Sequence, residues 1–219
     1  MAGRKKKVEE THDHDHDHDH DHDHHGHDHD HDHDHDHGPV DEDALREREK
    51  EHARRHALTQ IRQYPDAALR MKAREVTEFD EYLMQLVERM FTLMGDAQGV
   101  GLAANQVGIL QRLFVFETEE HGAQAVVNPV LKASGDLETE EEGCLSLEGV
   151  RVPVERKTKV TVKGQDPSGE PVELKLEGLA ARVVQHECDH LDGVLIIDRT
   201  DAEHRKEALG TLRPKISLR

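Results

Sequence analysis

Tryptophan is absent, aromatic residues make up only 3% of the chain, and cysteine occurs twice. An aromatic platform on which unpaired bases could stack has almost no material to be built from. Net positive charge is missing as well. The formal charge is −18 at pH 7, which opposes a phosphate backbone, so no sequence-specific nucleic-acid binding is expected. Cys144 and Cys188 are too few for a disulfide framework and are expected to be thiols in a reducing compartment. Long apolar runs are lacking too. Met1 to Lys7 leads straight into polar sequence without the apolar stretch of a secretory signal, and no segment has the length and apolarity to span a membrane. A cytoplasmic protein without membrane attachment is the expectation.

Histidine and aspartate, by contrast, are present in local excess. His12, His14, His16, His18, His20, His22, His24, His25, His27, His29, His31, His33, His35 and His37 alternate almost without a break with 11 aspartates. Without those aspartates the formal charge would fall from −18 to −7, that of a mildly acidic protein. Such a tract cannot bury enough apolar surface to offset the entropy of ordering it, so residues 1–40 are expected to be a disordered tail. In an extended chain the alternation puts imidazoles on one side and carboxylates on the other. This gives many weak, exchangeable sites for zinc, nickel, copper or iron, and suggests an auxiliary metal reservoir. Residues 41–57, rich in Arg, Glu and Lys, read as a charged linker or solvated helix. One folded domain is expected over residues 58–219.

Within it, Phe79, Tyr82, Leu83, Leu86, Val87, Met90, Leu93 and Met94 recur at three- and four-residue spacing, which predicts a helix over 77–94 with Thr77 and Asp80 as a capping pair. Leu113 to Phe116 and Ala125 to Val127 read as strands. Lys159 to Lys163 and Val172 to Leu176 alternate around the turn residues Asp166 to Gly169, and predict a hairpin. After Gly178 the apolar residues Leu179, Val183, Val184 and Leu191 suggest a buried helix. Helix, strands and helix in that order make the class α+β.

On this last helix His186-Glu187-Cys188-Asp189-His190 fits the His-Glu-x-x-His pattern, in which residues four apart project from one face toward a shared metal. Glu187 then sits beside the open coordination position, where a carboxylate can take a proton from coordinated water and pass it to the leaving group. A third protein ligand is required. Ile196 stands where the extended protease pattern has its third histidine, so that class fails. Glu203 and Glu207 are alternatives on a C-terminal helix, but Cys144 is the better donor, because a thiolate binds divalent transition metals well. Cys188 lies roughly 200° around the helix from His186 and should face away.

Gly99-Val100-Gly101-Leu102-Ala103-Ala104-Asn105-Gln106, Glu142-Gly143-Cys144-Leu145-Ser146 and Gln185-His186-Glu187-Cys188-Asp189-His190 resemble, in order, the three signature motifs of peptide deformylases. The similarity extends from about Leu58 to Arg199 and includes Tyr64-Pro65-Asp66 and Leu69-Arg70. It implies antiparallel β-sheets packed around a central metal-binding α-helix, with an N-terminal helix and a short C-terminal one. It also implies removal of the formyl group from the starting methionine of nascent peptides beside the ribosome. The metal ligands would be Cys144, His186 and His190, holding Fe2+, with Zn2+, Ni2+ or Co2+ as substitutes. Glu187 would be the acid/base catalyst, and Gln106 and the amide of Leu145 an oxyanion hole. Val100, Gly101 and Gly143 would pair with extended substrate. Leu179, Val183 and Val100 would enclose the methionine side chain, Arg151 would flank the substrate channel, and Arg156 would pair with Asp189. One departure is Glu148, where family members commonly have proline. Two rivals remain: a metal-buffering protein, motivated by the histidine tract, and a general metallopeptidase, motivated by the helix motif alone.

Overall fold

The computed structural model describes residues 42–213, so the expected tail and all of its histidines lie outside the described residues. Helix α1 (Glu42–Gln60) is polar on every side and buries only Ala57 and Leu58, near its C-terminal end. Its outer turns are held by pairs such as Arg46–Glu42 and Arg55–Glu51, each spaced four residues apart. Helix α2 (Glu81–Asp96) buries Leu83, Leu86, Val87, Met90, Leu93 and Met94, the stripe expected from their spacing. It starts later than expected: Asp80 is the N-cap, its side chain accepting from Leu83 N at 3.0 Å, and Thr77 lies outside the helix.

Strands β1 (Gly101–Ala103), β2 (Leu113–Thr118), β3 (Gly122–Gly143), β4 (Arg151–Gln165) and β5 (Pro171–Glu177) form one antiparallel sheet in sequence order. Helix α3 (Gly178–Leu191) packs against it, and α4 (Ala202–Thr211) closes the described chain. The run Leu113-Phe114-Val115-Phe116 is continuously apolar because β2 is covered on both faces. Leu113 and Val115 join the cluster built on α2, while Phe114 and Phe116 join Ala180, Ala181, Val184 and Leu191 of α3. Each fully buried phenylalanine contributes roughly 1.5–3 kcal/mol relative to exposure.

The α+β class is the one expected, but β3 and β4 are much longer than the short segments legible in the sequence. Residues 134–141 of β3 are exposed and carry no apolar alternation, so pairing with β4 rather than burial defines them. The register shifts twice along that pair, between Val127 and Val130 and between Ser134 and Leu137. At the first irregularity Asn128 adopts φ 52°. Its side chain accepts from Val76 N at 2.8 Å and donates to Val76 O at 2.9 Å, tying the incoming segment before α2 to the sheet. These long strands carry the chain to Cys144, immediately after β3, opposite α3.

Candidate metal centre

Helix α3 is buried along most of its length because its apolar residues Ala180, Ala181, Val183, Val184 and Leu191 pack with Phe114, Phe116, Val126, Val160 and Val162 of the sheet. A polar helix face directed inward needs partners, and His186 and His190 find one another and Cys144. Cys144 Sγ stands 3.2 Å from His190 Nε2, which stands 3.2 Å from His186 Nε2. Three donor atoms bound to one tetrahedral ion are about 3.5 Å apart, given metal–nitrogen and metal–sulfur bonds of roughly 2.0–2.3 Å. Among the described residues this is the one Cys, His, Asp and Glu group close enough to hold a metal ion.

The surrounding charges favour a cation there. His186 Nδ1 donates to Glu142 Oε2 at 3.0 Å, so Nε2 is the nitrogen aimed at the cluster. Burial works to raise the Glu142 carboxyl, but hydrogen bonds from His186 and Arg156 prevail and hold it at about 2. Burial likewise opposes charge on His186, yet its hydrogen bonds with Cys144 and Glu142 raise it well above the usual histidine value. Burial and the neighbouring His186 charge push His190 well below that value. One thiol and two imidazoles whose donor atoms all lie within 4.8 Å of one another form the set a divalent transition metal takes, with the thiol deprotonated and both imidazoles neutral once it is bound. The residues present fit the expected metal.

Glu187 projects from α3 beside these donors. Its Oε2 is buried without a hydrogen-bond partner, and burial raises its carboxyl to about 7 against the pull of His186. Gly101 faces it directly: a Cβ at that position would collide with Glu187 Oε1 and come within 2.8 Å of Val183 Cγ1. The glycine is therefore a requirement of close approach, not only of a turn. Gln106 Oε1 accepts from Ala103 N at 2.8 Å, which turns Nε2 toward Ser146 Oγ at 3.1 Å and Cys144 Sγ at 3.8 Å.

A cavity of about 350 Å³ opens onto this group and is bordered by Val100, Gly101, Gly143, Cys144, Leu145, Arg151, Leu179, Val183, His186 and Glu187. Val100 and Leu179 are exposed at 47% and 58%, so they are not core residues, whereas Val183 is buried. Arg151 Nη2 donates to Glu141 O at 3.3 Å at the same cavity. A larger cavity of about 770 Å³ lies at Cys188, Asp189 and Asp192, but none of the converging donors borders it. Cys188, whose thiol burial pushes up to about 12, lines that second cavity. Glu203 and Glu207 are exposed on α4 and outside the donor group.

Asp189 accepts from Arg156 Nη1 at 2.6 Å and from Arg199 Nε at 3.0 Å, so the segment between the two histidines is braced from outside. Glu148 is exposed, 4.0 Å from Arg54 Nη2, and does not border the donor-side cavity. Sequence reasoning missed Arg182, which borders that cavity and bonds to Glu142. Its only sequence signal is its position four residues before His186, on the same helix face.

Residues 58–206 match the family described as polypeptide deformylase. The chain is 47% identical over 161 residues to peptide deformylase 1 of Corynebacterium glutamicum, an alignment covering 72% of this chain and 95% of that one. It resembles a crystal structure of a peptide deformylase from Legionella pneumophila, with TM-score 0.67 and 42% identity over 69% of this chain and 91% of that one. A crystal structure of the Thermotoga maritima peptide deformylase aligns with TM-score 0.62 and 51% identity, covering 64% and 96% of the two chains.

Proposed function

The chain belongs to the peptide deformylase family and is an enzyme of that type, and from this membership we propose that it removes the N-formyl group from the methionine of newly made polypeptides, releasing formate. The observation that carries this reading is the convergence of Cys144, His186 and His190 beside the buried, partnerless carboxylate oxygen of Glu187, with Cys144, His186 and Glu187 lining one cavity. Cys144, His186 and His190 would hold one divalent ion, which when bound supplies Lewis acidity toward the formyl carbonyl and acidifies water.

The chain's own groups do the rest. Glu187 takes a proton from the attacking water and returns it to the departing amine. Gln106, its Oε1 occupied by Ala103 N, keeps Nε2 available on the Cys144 side, and with the Leu145 amide it stabilises the charge that builds on the formyl oxygen. Val100, Gly101 and Gly143 offer backbone to an extended peptide. Leu179, Val183 and Val100 bound the methionine side chain, and Arg151 flanks the exit.

The experiment is formate release from a formyl-methionyl peptide by protein purified without oxygen, with metal content measured on the same sample. Formate release and bound iron are expected, with no cleavage of the unformylated peptide. Peptide-bond cleavage without formate release would instead identify a general metallopeptidase, and full activity in a sample holding only zinc would overturn the assignment of iron.

We also infer that residues 58–219 form the catalytic part, while the histidine- and aspartate-rich residues 1–40 act as an attached metal reservoir. What supports the reservoir is the matched chemistry: imidazole and carboxylate donors in the same chain as a Cys/His/His centre. Protein lacking residues 1–40 should regain metal and activity more slowly than the full chain after chelation and return to metal-poor buffer. Equal recovery overturns the reservoir.

A further inference from the structure

The three donors come from two pieces of chain: Cys144 follows β3, and His186 and His190 project from α3. Their spacing is only as well defined as the placement of α3 against the end of β3. Arg182, buried on α3, spans that gap. Its Nη1 donates to Glu142 Oε1 and to Val154 O, each at 2.9 Å, its Nη2 donates to Glu138 O at 3.0 Å, and its Nε stands 3.0 Å from Glu140 Oε2. Every acceptor belongs to β3 or β4, and every guanidinium nitrogen is engaged.

Glu142 makes the connection specific. It lies two residues before Cys144, receives His186 Nδ1, and takes Arg156 Nε and Nη2 at 2.9 and 3.0 Å. Arg156 also reaches Asp189, and Glu142 is thus held from β4 by Arg156 and from α3 by Arg182. On the reading of Cys144, His186 and His190 as metal ligands, we propose that Arg182 is a positioning residue for the metal centre. It ties α3 to the end of β3, sets the separation of the thiolate from the two imidazoles, and holds Glu142 in place for His186. The fork of the guanidinium is what the role needs: a lysine ammonium has no planar set of donors that reaches two carboxylates and two carbonyls together.

The test uses the full chain loaded with cobalt(II), whose absorption reports the geometry of a cysteine- and histidine-bound ion without any turnover. Arg182→Met keeps an unbranched stem at the cavity wall and removes every tie. It is expected to lose cobalt to a chelator about tenfold faster or more, the size of effect typical for partners that orient metal ligands, and to show a shifted cobalt spectrum. Arg182→Lys, which keeps the charge, should fall between Arg182→Met and wild type, and it carries the test alone if Arg182→Met does not fold. Leu86→Ala, in the core cluster on α2, provides a destabilised comparison that touches none of these groups, and it should keep the wild-type spectrum and release rate while folded. Wild-type spectrum and release in the Arg182 variants would overturn the tie, as would cobalt loss from Leu86→Ala as fast as from Arg182→Met. Formate release is measured separately: its absence in a wild-type protein that holds cobalt would overturn the proposed reaction and leave the tie standing, whereas a wild-type protein that takes up no cobalt overturns the tie itself.

Discussion

Cys144→Ser is expected to lose its metal and most formate release, while Cys188→Ser keeps both. The two cysteines are chemically alike but placed differently. Cys144 Sγ lies 3.2 Å from His190 Nε2, inside the donor group. Cys188 is on the far side of α3 at the second cavity, with its thiol pushed up to about 12 by burial and therefore protonated at neutral pH. A serine hydroxyl is a much poorer donor than thiolate for a divalent transition metal, and it does not ionise under conditions where the protein is folded. Two imidazoles would remain, one ligand short of the three-ligand site that catalytic metal centres use. Metal content after gel filtration and formate release on the same samples provide the check. Equal metal retention by the two variants would remove Cys144 from the ligand set.

The contrast between those cysteines is legible in the sequence, because helical geometry alone separates Cys188 from His186 and His190. The same local rules expose α2, whose apolar residues repeat every three or four positions, and the β4–β5 hairpin, whose turn carries Asp166, Pro167 and Gly169. They fail where order comes from a distant partner. Residues 134–141 of β3 are exposed and acidic, and nothing in their own pattern separates them from a loop; Lys157, Arg156 and Glu155 of β4 make them a strand.

The site divides in the same way. His186, Glu187 and His190 lie within five consecutive residues, so one turn of helix brings them together. The Arg182–Glu142 contact joins positions 40 apart, and Arg182 reaches Val154 O and Glu138 O, backbone groups with no sequence signature. Thr77 is a smaller instance. It has the residue type of a helix cap, but the cap needs extended backbone at the first turn, and Asp80 has it, with φ −113° and ψ −178°.

Glu187→Gln is expected to bind metal normally and to lose between a hundred- and ten-thousand-fold in turnover, the range typical of a positioned general acid or base. The substitution keeps size and shape in a place with no slack, since the Glu187 side chain lies against Gly101 and beside Val183 Cγ1. Cys144, His186 and His190 are untouched, so the donor group persists. What disappears is the ability to accept a proton from water and return it to the departing amine, because an amide does neither. The loss should therefore appear in kcat, with KM for a formyl-methionyl peptide changing far less, the signature of an interaction made in the transition state. A carboxylate serving only to fill space would leave turnover near wild type once the protein is folded and loaded. The buried, partnerless Oε2 argues against that, because an unpaired buried polar atom costs stability and is retained where it has a task. Metal content, melting temperature and single-turnover formate release on one preparation separate the cases, and wild-type turnover by metal-loaded, folded Glu187→Gln would refute the acid/base role.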